Sequence, residues 1–291
     1  SDLGHRRMID YSVQPARAQE PVAMEPFHSY VFDDGTVWTE FFRNDSGYLL
    51  RFPDIADFEV SASGQSIKAY PVVGTDEVTL EHLYINQLIP LALSRQGRPA
   101  FHASVVTVAD GCVAFLGTAG RGKSTLAASF ALEDAAFLTD DSLIIDESDG
   151  VRAMPSHASV RLWEDSVEAL IPENTPKADA LSFSSKARLL AGDALSYIDQ
   201  PVPLLAAYVL EQDDVDSVAI SPLTGSERQM AWISNSFLLD IKDKDLLARH
   251  FDWTHRISGQ VPTFSLDYPR DYGMLGQVRD AIRRHALKLA A

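Results

Sequence analysis

The chain opens on short runs in which apolar and polar positions alternate, broken by turn residues. Ser29 to Phe32 and Thr36 to Phe42 flank Asp33-Asp34-Gly35. Tyr48 to Phe52, Asp57 to Ala62 and Ser66 to Val72 continue the pattern, with Gly47, Pro53 and Gly64 between them. A period of two with such punctuation predicts a hairpin and a small antiparallel sheet. The period then changes. Leu80, Leu83, Tyr84, Leu88, Leu91 and Ala92 recur at helical spacing, which predicts a helix over 78–96, kinked by Pro90 and stopped by Gly97.

Two apolar runs follow, Phe101 to Val108 and Val113 to Leu116, joined by Ala109-Asp110-Gly111, and the second leads into a glycine-rich loop. Leu126 to Leu132 reads as helix, and Phe137 to Ile145 as strand on either side of an acidic pair. Leu204 to Leu210 reads as a buried strand. The tail alternates helix near 226–232, charged helix near 243–250, strand at Thr263 to Asp267, and helix over about 272–287. Strands and helices in alternation predict an α/β core. The change of pattern near residue 75 predicts two parts, a β-rich module over 1–75 and an α/β domain over 76–291.

Composition narrows the classes. With 46% hydrophobic residues in 291, a sizeable core is available. A formal net charge of −16 argues against general affinity for nucleic acid or an anionic membrane, both of which would repel it. No run approaches the ~20 apolar residues of a membrane span, and the first residues lack an apolar signal core, so the expected location is the cytoplasm. Cys112 is the single cysteine and lies in an apolar run, so it reads as a buried strand thiol.

Gly117 to Ser124, reading GTAGRGKS, satisfies G-x-x-x-x-G-K-[ST] between a strand and a helix. Each position has a task. Glycine lets the backbone turn its N–H groups inward, Lys123 reaches the β- and γ-phosphates, and the Ser124 hydroxyl ligates Mg²⁺. The start of the next helix adds its positive end. Gly117, Thr118, Ala119, Gly120, Arg121, Gly122, Lys123, Ser124 and Thr125 are therefore expected to hold the phosphates of ATP with Mg²⁺. Such a site also needs a carboxylate at a neighbouring strand end. Asp140-Asp141 follows Phe137-Leu138-Thr139, and adjacent residues of a strand end point to opposite sides, so one acid can serve the metal and the other an acceptor hydroxyl. His102 lies in the strand before the loop strand.

The order F-H-A-S-V-V, F-L-G-T-A-G-R-G-K-S-T-L, F-L-T-D-D resembles the catalytic domain of HPr kinase/phosphorylase and its HPr-kinase-like relatives, which share the phosphoenolpyruvate carboxykinase fold. More weakly, the resemblance extends over Arg161-Leu162-Trp163, Lys186 and Leu266 to Asp271. It implies that His102 holds and tunes the acidic pair, that Asp140 takes the proton from a serine hydroxyl, and that Asp141 supports Mg²⁺. Which aspartate does which is left open. Arg161 and Lys186 would carry charge on the transferring group. The chain lacks the glycine- and arginine-rich second signature of the bifunctional enzymes, so HPr as substrate and the reverse phosphorolysis are not implied. Short proteins of this layout resemble the tailoring kinases of lasso-peptide precursors.

The expectation is an ATP- and Mg-dependent kinase acting on a serine of a peptide or small-protein acceptor, with a homo-oligomer allowed. A kinase of a small hydroxylated metabolite and a non-catalytic nucleotide-binding regulator are the alternatives. The segment 174–190, rich in polar and basic residues with no helical period, is expected to form a mobile flap over the acceptor.

Overall fold

The computed structural model describes residues 9–32, 34–98, 100–156, 158–171, 177–178, 186–192, 195–211 and 214–290. They make a mixed α/β protein with several sheets, divided into two compact units. One comprises the described residues of 9–98 with 238–250. The other comprises the described residues of 100–178, 186–237 and 251–290.

In the first unit six strands form one sheet: β1 (Asp10–Val13), β2 (His28–Val31), β3 (Val37–Asn44), β4 (Gly47–Phe52), β5 (Ala56–Ser61) and β6 (Ser66–Pro71), in the order β1-β6-β5-β4-β3-β2. The meander from β2 to β6 is antiparallel, as its alternation predicts. β1, which carries no such signal, adds in parallel to β6. The helical stretch is not one helix. α1 (Glu77–Leu83) and α2 (Ile89–Arg95) are separated by a π-turn over Tyr84–Leu88. Pro90 has no N–H to give to the carbonyl four residues back, and the wider turn absorbs that loss. Asp76 caps α1 by accepting from Thr79 N at 2.6 Å. Gly97, at φ +74°, closes α2, with Arg98 N donating to Leu93 O at 2.9 Å. These helices belong to the first unit, which therefore extends beyond the boundary at 75/76 that the pattern suggests.

The second unit is built on a mixed sheet. Its strands are β7 (Ala100–Phe101), β8 (Ala103–Val108), β9 (Gly111–Leu116), β10 (Phe137–Thr139), β11 (Leu143–Asp146), β12 (Arg152–Met154), β16 (Val202–Leu210), β17 (Ala219–Pro222) and β18 (Thr263–Asp267). The main path is β10-β8-β9-β16-β12-β11-β7, and β18 joins β16 to β17. A separate small sheet holds β13 (Ser159–Leu162), β14 (Lys177–Ala178) and β15 (Ala187–Leu190). The helices are α3 (Lys123–Ala131), α4 (Glu164–Leu170), α5 (Gly225–Ser234), α6 (Lys244–Gln260) and α7 (Leu275–Ala290), with a 3₁₀ turn at Tyr272–Met274 before α7. The first turns of α6 fall in the first unit.

All six residues of β9 are buried because both faces of the strand are covered. Val113 and Phe115 pack with Leu126 and Phe130 of α3 and Val278 and Ile282 of α7. Cys112, Ala114 and Leu116 pack on the other side with Trp232 of α5 and Ile257 of α6. Cys112 is the buried thiol its sequence context predicts, and burial pushes its acidity well out of the reactive range. β9, β16 and β18 run parallel, so their carboxyl ends open on the same side.

Three further sequence expectations change. The run 101–108 is split: Phe101 pairs with β11 and β8 with β9, and His102 occupies the bend between them, its N–H bonded to Asn235 O at 2.6 Å rather than to a strand. α6 runs ten residues past the helix expected to end at His250. Of the expected flap, only 177–178 and 186–190 are described, and Ala187–Leu190 is a strand paired with β13. Ser182, Ser184 and Ser185 lie outside the described residues.

Candidate functional site

β9 ends at Leu116 and α3 begins at Lys123, so the glycine-rich loop caps the carboxyl end of a buried strand. Two glycines are required by geometry. Gly117 has φ +142°, and a Cβ there would meet Leu210 O at 3.1 Å. Gly122, at φ +85°, turns the chain into the first residue of α3. Thr118, Ala119 and Gly120 form an exposed crest, with Arg121 behind them closing a turn onto Thr118 O at 3.4 Å. Gly117 N is held by the Asn235 side chain at 3.0 Å. Thr125 Oγ1 shares a hydrogen bond with Ser166 Oγ at 3.1 Å.

Lys123 is buried, and its ammonium donates to the carbonyls of Gly117 at 2.6 Å and Thr118 at 3.1 Å. Neutral acceptors do not replace water fully. Burial lowers its pKa to about 8, with Asp141 and Asp140 pulling the other way. A buried cation resting on loop carbonyls suits an incoming polyanion.

The strand β10 ends at Thr139, so the acidic pair does not continue it, and the alternating arrangement expected at a strand end is absent. Asp141 instead adopts φ +69°, a left-handed conformation rare for a residue with a side chain and enriched at functional sites. Both carboxylates thereby enter one buried cluster. Asp140 Oδ1 accepts from Ser104 Oγ at 2.6 Å, Oδ2 accepts from Arg161 N at 3.2 Å, and Ser124 also bonds to it. Asp141 Oδ2 pairs with Arg161 at 2.5 Å, and its Oδ1 lies 4.0 Å from His102 Nδ1, a nitrogen 3.1 Å from Asp141 O.

The two acids are driven apart. Burial and the charge of Asp141 raise the proton affinity of Asp140, against the hydrogen bonds it accepts. Burial acts on Asp141 too, but Arg161 and His102 outweigh it and hold that carboxyl well below the usual range. His102, whose side chain is still about a third exposed, is lowered by desolvation and by Lys123, with Asp141 opposing. Lys186 stands over the Trp163 ring at 4.9 Å and bears electrostatically on His102, Lys123 and Asp141. The structure thus brings His102, Lys123, Ser124, Asp140, Asp141, Arg161 and Lys186 into one cluster.

Three contributors lie outside the residues singled out for the site from sequence. Ser104 lies two residues from His102, a strand alternation that could have flagged it. Asn235, at the end of α5, arrives from distant chain with no sequence signal, whereas Tyr268, whose hydroxyl is 3.7 Å from where a Gly122 Cβ would stand, lies in the stretch Leu266 to Asp271 over which the resemblance weakly extends.

The donors suit a hard cation and phosphate. A hydroxyl, two carboxylates and a glycine cradle match Mg²⁺, which is held by one or two carboxylates plus phosphate oxygens rather than by a protein cage. No group of three or more His, Cys, Asp or Glu able to hold a metal by itself occurs among the described residues. No helix among them is long and apolar enough to cross a membrane.

No family model matches the sequence, and no curated protein matches it. Among solved structures, the chain is similar to the Hpr(Ser) kinase/phosphatase from Coxiella burnetii, with 10% identity over 66% of this chain and 99% of that one and a TM-score of 0.37. A likeness of that size leaves function to rest on the site's own geometry.

Proposed function

We propose that the protein is a magnesium- and ATP-dependent phosphotransferase that passes a phosphoryl group to a serine hydroxyl of a peptide or small protein. The observation that carries this reading is the acidic pair within hydrogen-bond reach of the glycine-rich loop, through Ser124 and Asp140. A protein that only bound nucleotide would need no buried base there. Bound Mg-ATP supplies the phosphoryl group and the charge that neutralises its transfer.

The protein's part is positioning and electrostatics. Lys123 holds the terminal phosphates, and Arg161 and Lys186 add positive charge on the acceptor side. Asp140, with its raised proton affinity, takes the acceptor proton. Asp141, kept anionic by Arg161, supports the metal with Ser124. The bond between Ser124 and Asp140 favours the opposite division, so both are tested. Asp140→Asn as base should cut turnover by ~10²-fold or more with an unchanged magnesium requirement. If Asp140→Asn instead raises the magnesium needed for half-maximal rate, the roles are exchanged. Asn tolerates left-handed backbone as Asp does, so Asp141→Asn tests charge and not strain.

The overall reading is tested by mass spectrometry of serine peptides and small hydroxylated metabolites after incubation with Mg-ATP. Gain of one phosphoryl group on a peptide serine is expected. Gain on a metabolite alone would move the acceptor class, and tight ATP binding with no transfer would make the protein a nucleotide-binding regulator. The absent second signature further predicts that phosphorylated product with inorganic phosphate yields no pyrophosphate.

A further inference from the structure

Among the described residues Arg270 meets no counter-ion. It stands three residues beyond the end of β18, with its guanidinium over the Tyr268 ring, 4.0 Å from the ring centre. Tyr268 is buried, and its hydroxyl approaches Gly122, so the Arg270–Tyr268 stack flanks the glycine-rich loop. All three guanidinium nitrogens of Arg270 are buried, and none meets an acceptor in good geometry among the described residues. Arg161, Arg188, Arg228 and Arg279 each leave only Nε so placed.

This is costly. A guanidinium carries five N–H donors, and an aromatic face returns only part of what water gave them. Burial pushes the Tyr268 phenol up, while the charge of Arg270 and its contact with the phenol oxygen pull it down, a neutral partner that leaves most of the guanidinium donors unmet. Topology says where the missing partner belongs. β9, β16 and β18 are parallel, β9 delivers the loop and β18 delivers Tyr268 and Arg270. Ligands of such sheets bind beyond the carboxyl ends of the strands. A planar fork of donors matches phosphate oxygens better than any single point charge does.

We propose that Arg270 is an anion-binding residue of this site, holding phosphate oxygens of the nucleotide whose terminal phosphates lie on the glycine-rich loop. The inference rests on the nucleotide reading above and adds a second cationic wall to it, supplied from the other end of the domain's sequence.

Calorimetric titration of the wild-type chain, Arg270→Gln and Arg270→Lys with Mg-ATP, Mg-tripolyphosphate and adenosine tests it. Arg270→Gln should weaken Mg-ATP and tripolyphosphate alike by about 10- to 100-fold and leave adenosine unchanged, with Arg270→Lys between. Without ligand, Arg270→Gln should melt at or above the wild-type temperature, because it removes a buried unpaired charge. Phosphate affinities within twofold of wild type would overturn the proposal. So would a loss shared by adenosine, which would assign Arg270 to the base, or a ligand-free variant that melts several degrees lower, which would make the arginine structural. A wild-type chain that bound neither Mg-ATP nor tripolyphosphate would overturn the functional reading first, and this inference with it.

Discussion

At the scale of single residues, Lys123 is the sharpest case. Its pKa in the free fold is about 8, below the ordinary lysine value of 10.5, because burial disfavours the ammonium. Between those values the unfolded chain binds more protons than the fold, so this lysine makes the fold more stable as pH rises through that window. Phosphate reverses the balance by favouring the charged form. Mg-ATP binding should therefore take up a proton above pH 8, and affinity should fall by up to tenfold per pH unit there. Calorimetry in buffers of different ionisation enthalpy measures the uptake, and a pH-independent affinity between 7 and 9.5 would show that Lys123 does not meet the phosphates. Lys123→Ala should abolish transfer and leave the fold intact. The loop was legible from sequence because steric demands single out glycine where φ is positive, as at Gly117 and Gly122. The left-handed Asp141 was not, since its partners Arg161 and His102 come from chain 20 or more residues away and no local window contains them.

At the scale of elements, α5 does more than cover the sheet. Its last turn ends at Asn235, whose Nδ2 donates to Ala231 O at 2.8 Å while its Oδ1 receives Gly117 N and its backbone carbonyl receives His102 N. One residue thus fixes both the start of the glycine-rich loop and the bend that aims His102. Asn235→Ala strands a buried N–H, at a cost of about 1–3 kcal/mol. It should lower the denaturant midpoint and raise the KM for ATP more than it changes the slope of unfolding. An unchanged KM would mean that the loop holds its shape unaided. Elements with a clear period were legible: the meander from β2 to β6, the strand β9 and the helix α7. Those set by partners were not. The four residues of β1 depend on β6, and the split at His102 depends on β11 and Asn235, neither of which a local window contains.

At the scale of the whole molecule, a ligand that binds only the folded site must stabilise it. Mg-ATP at a hundred times its Kd adds about 2.7 kcal/mol. For a unit of this size that is a rise of roughly 5–10 °C in the melting temperature, absent in Lys123→Ala. A shift of equal size in that variant would place nucleotide elsewhere. The topology also sets a timetable for synthesis. Cys112 of β9 pairs with Leu204 of β16, and Leu210 of β16 with Leu266 of β18. At translation rates of 5–20 residues per second, β9 waits roughly five to twenty seconds after leaving the ribosome for its parallel neighbour to be made. Throughout that interval the apolar sequence Gly-Cys-Val-Ala-Phe-Leu, with β8 on one side, presents an open edge to any other nascent strand. The parallel arrangement that gathers the loop and Arg270 at one crevice therefore gives the newborn chain a window of vulnerability. A cell that translates this protein slowly should need a chaperone on it more than one that translates it fast.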